Sequence, residues 1–369
     1  MKFLQGKNIL VISPEAWGTS MLSKHHYART LARSGNRVWF LQPPGAPISE
    51  TLRSEALPVI LLKDIYLFRG ARFFPDAIRK FVFRKLARRM QNDTDVKFDL
   101  IWNFDNSRFF DLDCFEGAFG IHHRMDFHYV FQNERASRSA NLCLGVIQGI
   151  VDDMKQYNPH SYFIQHGYAE LKPASYKMQK RAGRLSALYI GNLLVTYINW
   201  SWIHALVLAR PDVDFYFAGS YGKGNLNPKV NTTQQAEVRK LKEKPNVILL
   251  GERTPEELHA MMEQVDILFA AYRAAEFPDI LANSHKVMSY IGSGKPVVCH
   301  EIREYAHTTG LLHMAHDKDQ YLKLFDEVAA DITAGVIDPD VANRKAFAAG
   351  NTYDKQIARI DELISSIVQ

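Results

Sequence analysis

The sequence predicts an α/β protein made of two successive domains, each built around a parallel sheet. Three observations carry this. KNILVIS (7–13), a loop, a helical pattern and VWFLQPP (38–44) follow one another, which is the βαβ unit that opens a parallel sheet. The same alternation restarts at LSALYIG (185–191) after a polar, basic stretch. The 369 residues, 47% apolar and 23% charged, are long for one core and give each of two domains enough to bury.

The elements follow in order. The loop PEAWGTS (14–20) leads to a helix from about Ser23 to Ser34, with Tyr27, Ala28, Leu31 and Ala32 on one face and Gly35 as its stop. FDLIWNF (98–104), GAFGI (117–121), NLCLGVI (141–147) and SYFIQHG (161–167) read as further strands of a first domain, residues 1–170. LKPASYKMQKRAGR (171–184) is polar and basic, contains Pro and Gly, and is the expected linker. The second domain, 185–351, continues with a helix over 198–209 and strands DFYFAG (214–219) and NVILLG (246–251). A helix opens at Thr254-Pro255-Glu256-Glu257, Thr as N-cap and Pro at the first helical position. VDILFAAY (265–272) is the next strand. In NSHKVMSYIGSGKPVV (283–298), a helix starts at Asn283-Ser284 and closes at Gly292 and Gly294, and a buried strand begins at Pro296. Residues 352–369 form an amphipathic terminal helix through Ile357, Ile360, Leu363, Ile364 and Ile367.

Composition narrows the class. Apolar runs such as Ile9–Ile12 and the one within Val265–Tyr272 are strand-length, far below the roughly 18 to 20 residues of a membrane span. Lys2 and Lys7 precede no apolar h-region, so the expectation is a chain that is not exported. Cys114, Cys143 and Cys299 are scattered in apolar settings, as in a reducing cytoplasm. The net charge of +5 is local. From Arg69 to Met90 there are eight basic residues and one acid, which leaves about −2 for the rest. There, Phe74, Ile78, Val82, Leu86 and Met90 recur every four residues, beside a cationic row of Lys80, Arg84 and Arg88. That pattern fits a helix on an anionic membrane surface, with Arg79, Lys80, Arg84, Lys85, Arg88 and Arg89 as its contacts. The plain alternative is a domain helix with a solvated basic face. No nucleic-acid recognition motif accompanies it, so no nucleic acid is expected.

Several residues stand where chemistry is done. A helix N-terminus offers unpaired N–H groups and a positive dipole end, so Ser284 and His285 suit an anion to which Lys286 adds a full charge. Arg253 and Arg273 each follow a strand, at the carboxyl edge where open α/β sheets bind ligands, and Glu276 is the nearest acid. Gly18 would let backbone approach a phosphate. GIHHRMDFHYVF (120–131) gathers His122, His123 and Asp126 after a strand. With His128 this cluster invites a metal reading, but its spacing matches no tight site, and no metal is expected.

Over its full length the chain resembles bacterial retaining glycosyltransferases of the GT-B type, family 4-like. The similarity rests on ISPEAWGTSMLSKHHYARTLARSGNRVWFLQPP, close to a capsule- and teichuronic-acid-type subgroup, on FIQHGYAEL, on NVILLGERTPEELHAMMEQVDILFAAYR, on NSHKVMSYIGSGKPVV and on NTYDKQIARIDELI. The resemblance implies two Rossmann-like domains facing a cleft, with the terminal helix crossing back to the first. It implies sugar transfer from a nucleotide-diphosphate sugar to a glycan or polyprenyl-linked acceptor in surface polysaccharide synthesis, with retention and without metal or other cofactor. Gly18, Gly191, Arg253, Arg273, Glu276, Ser284, His285, Lys286 and Ser289 would bind the donor. Asp126, with His122 or His123, would face the reacting sugar. The chain departs from the family in two places. Family carboxylates are absent at Leu281 and Ser289, and YIGNLLVTYINWSW lacks the family's cations. Two other functions stay open: a nucleotide-sugar epimerase of the same fold, and a non-catalytic binding subunit.

Overall fold

The computed structural model describes residues 3–18, 21–46, 59–62, 70, 73–105, 109–125, 132–172, 174–222, 232–277, 283 and 285–368. Contacts divide the chain into two compact units, residues 1–167 with 353–369, and residues 168–352.

The first unit alternates β1 (Asn8–Ile12), α1 (Ser23–Arg33), β2 (Arg37–Leu41), β3 (Val59–Leu62), α2 (Asp76–Thr94), β4 (Leu100–Asn103), β5 (Phe119–Arg124), α3 (Asn133–Ser139), β6 (Leu142–Gly145), α4 (Gln148–Lys155) and β7 (Ser161–Phe163). Its seven strands are parallel, in the order β3-β2-β1-β4-β5-β6-β7. Ile9, Leu10, Val11 and Ile12 of β1 are all fully buried, as expected of a strand covered on both faces. The order reverses between β1 and β4, where crossover connections diverge and leave a crevice at the carboxyl ends.

The second unit repeats the scheme with β8 (Leu185–Ile190), α5 (Trp200–Ala209), β9 (Val213–Ala218), α6 (Thr232–Lys242), β10 (Val247–Gly251), α7 (Pro255–Gln264), β11 (Ile267–Ala270), α8 (His285–Ser293), β12 (Val297–His300), β13 (His313–Ala315), α9 (Lys318–Thr333) and α10 (Val341–Ala349). The six strands are again parallel, in the order β10-β9-β8-β11-β12-β13, with the reversal between β8 and β11. At α7, Thr254 Oγ1 accepts the Glu257 N–H at 3.2 Å and Glu257 accepts the Thr254 N–H at 2.9 Å. This is the reciprocal cap that its sequence encodes. The terminal helix α11 (Tyr353–Val368) belongs to the first unit. It buries Ile357, Ile360 and Ile364, and its Asp361 carboxylate accepts the N–H groups of Phe3 (2.9 Å) and Leu4 (2.6 Å).

Three expectations are corrected. Residues 174–184 of the expected linker 171–184 are packed along the second unit instead. Gln264 bonds both Met178 N (3.0 Å) and Tyr176 O (2.7 Å), and Arg181 and Arg184 both reach the buried Asp214. Three of the basic residues that made this stretch look solvated, Lys180, Arg181 and Arg184, meet acids. Next, β5 runs through Arg124, so His122 and His123 lie within the strand and not after it.

The third correction concerns α2. Its core stripe is Arg79, Phe83, Ala87 and Met90, of which the every-four pattern held only Met90, and Ile78 is 53% exposed. Arg79 is therefore no surface contact. Its Nε donates to Asp111 at 2.6 Å and its Nη1 to Asp76 at 2.6 Å, while Phe110 lies under the guanidinium at 5.5 Å. Removing one partner of a buried pair strands the other charge. Asp111→Ala is expected to lose about 3–5 kcal/mol in urea unfolding, with most of that regained when Arg79→Met and Asp111→Leu are combined.

Candidate functional site

In the second unit, β8 and β9 are followed directly by Gly191 and Gly219, both at positive φ (152° and 149°). A Cβ on Gly219 would fall 2.0 Å from the Gly191 carbonyl oxygen, so this close approach requires glycine. A Cβ on Gly191 would fall 2.5 Å from Lys286 Nζ. Lys286 is in the first turn of α8, and its ammonium thus reaches the reversal between β8 and β11.

What surrounds that ammonium is unusual. Lys286 Nζ donates to Tyr272 Oη and stands 4.9 Å from the Tyr272 ring centroid and 5.3 Å from that of Tyr189. The two phenol oxygens bond each other at 3.1 Å, and Tyr290 Oη accepts the Ile190 N–H at 2.7 Å. Lys286 as a whole residue is partly exposed, but no carboxylate pairs with it among the described residues. Burial lowers its pKa from 10.5 to about 8. Phenol rings offset part of the desolvation of a cation but supply no counter-charge. His300, at the end of β12, stands 5.0 Å from the Tyr272 ring, and burial lowers its pKa to about 4, so it is neutral near pH 7.

The other expected anion-binding residues are spread along the same sheet edge. Arg273 Nη1 donates to Glu276 at 2.7 Å and its Nη2 to the Thr196 carbonyl, so Glu276 is held by Arg273. Arg253 stacks 5.8 Å over Tyr176. His285 is exposed and Ser289 partly buried, both on α8. Ser284 lies outside the described residues. Gly18 belongs to the first unit, and a Cβ there would meet nothing within 4 Å among the described residues, so its surroundings do not demand glycine.

In the first unit the strand separates the two histidines, because successive side chains point to opposite faces. His122 shares a hydrogen bond with Asn133 Oδ1 (3.1 Å), and Asn133 in turn donates to Asp153, which also receives Arg124. His123 accepts the Trp102 indole N–H on Nδ1 at 3.2 Å, which leaves the proton on Nε2. That N–H has no partner among the described residues, although Tyr27 and Phe104 flank the ring at 5.3 and 5.0 Å. Burial lowers both imidazole pKa values, that of His122 to about 4. Both rings are then neutral hydrogen-bonding groups near pH 7. Asp126 lies outside the described residues. Among the described residues, no cluster of three or more His, Cys, Asp or Glu could hold a metal.

Tyr189, Tyr272 and His300 were missed by sequence reasoning. Tyr189 and Tyr272 sit at the ends of predicted strands, and that position at the carboxyl edge was the signal to use.

Two parallel sheets, each with its strand order reversed beside the first strand, define the GT-B fold. Solved structures share it over nearly the whole chain. A glycosyltransferase from Rickettsia africae ESF-5 superposes with a TM-score of 0.69 at 10% identity, over 98% of this chain and 99% of that one. Sucrose-phosphate synthase from Thermosynechococcus elongatus gives 0.68 at 11%, over 98% and 99%. HepE of Anabaena, in complex with UDP and glucose, gives 0.65 at 14%, over 96% and 99%. No protein-family model and no curated protein matches the sequence.

The enclosure of Lys286 sets a stability signature. Its folded pKa lies below its unfolded one, so the unfolded chain holds more protons between pH 8 and 10.5, and stability from this site rises across that window. Lys286→Met is expected to raise the melting temperature of the free protein at pH 7 and to remove that alkaline rise, read by calorimetry across pH.

Proposed function

We propose that the chain is a glycosyltransferase whose second unit holds the diphosphate of a nucleotide-sugar donor. Lys286 carries the reading, as an enclosed cation without a carboxylate partner among the described residues, beside a glycine that keeps its approach open. Such a group is costly in the free protein and is stabilised by an incoming anion. As the glycosidic bond to phosphate breaks, negative charge builds on the departing nucleoside diphosphate. An ammonium and a helix N-terminus already aimed at that charge lower the barrier without reorganising. The GT-B fold supports the reading, as does the binding of UDP and glucose by HepE, a protein of that fold.

The finer parts of the reading come from the sequence resemblance. The acceptor is a glycan or polyprenyl-linked sugar in surface polysaccharide synthesis. Transfer retains configuration and needs no metal. Asp126 with His123 faces the reacting sugar, His123 as a neutral hydrogen-bond donor. One observation favours the non-catalytic alternative: Glu276, the only acid in the proposed donor set, is held by Arg273. An epimerase is disfavoured by the same scarcity of carboxylates.

Nucleoside diphosphates at a hundred times Kd would stabilise the fold by about 2.7 kcal/mol. The expected result in thermal shift is that one of UDP, GDP, ADP or TDP raises the melting temperature of the wild type and leaves Lys286→Met unmoved. Stabilisation by none of them overturns the donor site in favour of a non-catalytic subunit. Affinity of the wild type should fall above about pH 8 as Lys286 loses its proton.

A further inference from the structure

Helix α2 needs one apolar face to seat on its sheet, and Phe83, Ala87 and Met90 supply it. Its outward face nevertheless begins apolar. Ile78 is 53% and Phe81 68% exposed, and they are three residues apart, so they stand side by side one turn into the helix. Four residues past Phe81 on the same stripe is Lys85, with Arg84 beside it, and Arg88 and Arg89 follow one turn later, all exposed. The stripe thus runs from two large apolar side chains directly into four cations.

The cations are not equally engaged. Lys80 pairs with Asp113 (3.1 Å), Arg88 with Glu116 (3.0 Å) and Arg89 with Asp93 (3.6 Å). Arg84 and Lys85, three and four residues past Phe81, pair with no carboxylate among the described residues. Folding explains none of this. A phenylalanine two-thirds exposed buries little, and adjoining unpaired cations repel each other. Both features become favourable against a surface that is apolar at depth and anionic at its edge.

We propose that this stripe docks the protein on an anionic lipid bilayer, Ile78 and Phe81 entering the boundary below the headgroups while Arg84 and Lys85 meet lipid phosphates. The mixture selects this partner. A nucleic acid would use the cations, but the leading Ile78 and Phe81 read no base edge and would stay wet. Docking needs no sugar donor, so it stands or falls separately from the proposed transfer. If both hold, a membrane-borne acceptor is met at the surface where it resides.

The test is co-sedimentation with phosphatidylcholine vesicles, with and without phosphatidylglycerol. Wild-type protein should bind the anionic vesicles, less at high salt, and not the neutral ones. Arg84→Glu with Lys85→Glu should weaken binding at least about thirtyfold, from two cations at roughly 1 kcal/mol each. Ile78→Ser with Phe81→Ser should weaken it about a hundredfold or more, as burial of two large side chains is lost. Both variants should keep the wild-type melting temperature and nucleotide response, since these side chains face solvent. Binding that survives either variant, equal binding to neutral vesicles, or no binding by the wild type overturns the proposal.

Discussion

The approach of Gly191 to Gly219 governs the second unit. Two parallel strands carry side chains to their ends almost everywhere, and those side chains would fill the crevice where the strand order reverses. Here a Cβ at residue 219 would lie 2.0 Å from a carbonyl oxygen, and at residue 191 it would strike the ammonium of Lys286. The absence of both lets α8 bring its first turn over the strand ends and lets Lys286 reach the sheet edge. The hydroxyls of Tyr189, Tyr272 and Tyr290 then fix what the glycines leave open, each bonded to another group of the same edge. A void becomes a shaped place for charge.

The first unit uses burial differently. Its crevice edge holds neutral imidazoles tied by their partners, His122 through Asn133 to an Asp153–Arg124 pair and His123 to an indole. These bonds fix which nitrogen of each ring carries the proton. A buried donor left without a partner costs about 1–3 kcal/mol, and the Nε2–H of His123 has none among the described residues, an expense that they do not explain. One unit thus places at its edge a cation enclosed by phenols, and the other a neutral donor without a partner among the described residues.

The fold was legible because parallel strands buried on both faces read as continuous apolar runs, as Ile9–Ile12 of β1 and all of β11 do. Helix starts with a chemical cap, as at Thr254, were equally readable. Less was legible where a residue's polarity hides its partner. His122 and His123 looked like loop residues because nothing local announces that Asn133 and Trp102 will receive them. Arg79 looked like a surface cation because its acid, Asp111, is thirty-two residues away. The anion site was half legible. Lys286 and Gly191 could be picked out by position, but the two phenols that enclose the ammonium are 97 and 14 residues distant and meet it only in three dimensions.

The seat of α11 orders events during synthesis. The second unit is one unbroken stretch, 168–352, and can close as soon as it leaves the ribosome. The first unit cannot, because Asp361 holds the N–H groups of Phe3 and Leu4 and the apolar face of α11 completes that unit's core. The half that is made first is therefore finished last. Until α11 arrives, Phe3 and Leu4 lack its carboxylate, and the His26 and Tyr27 rings of α1 lack Tyr353.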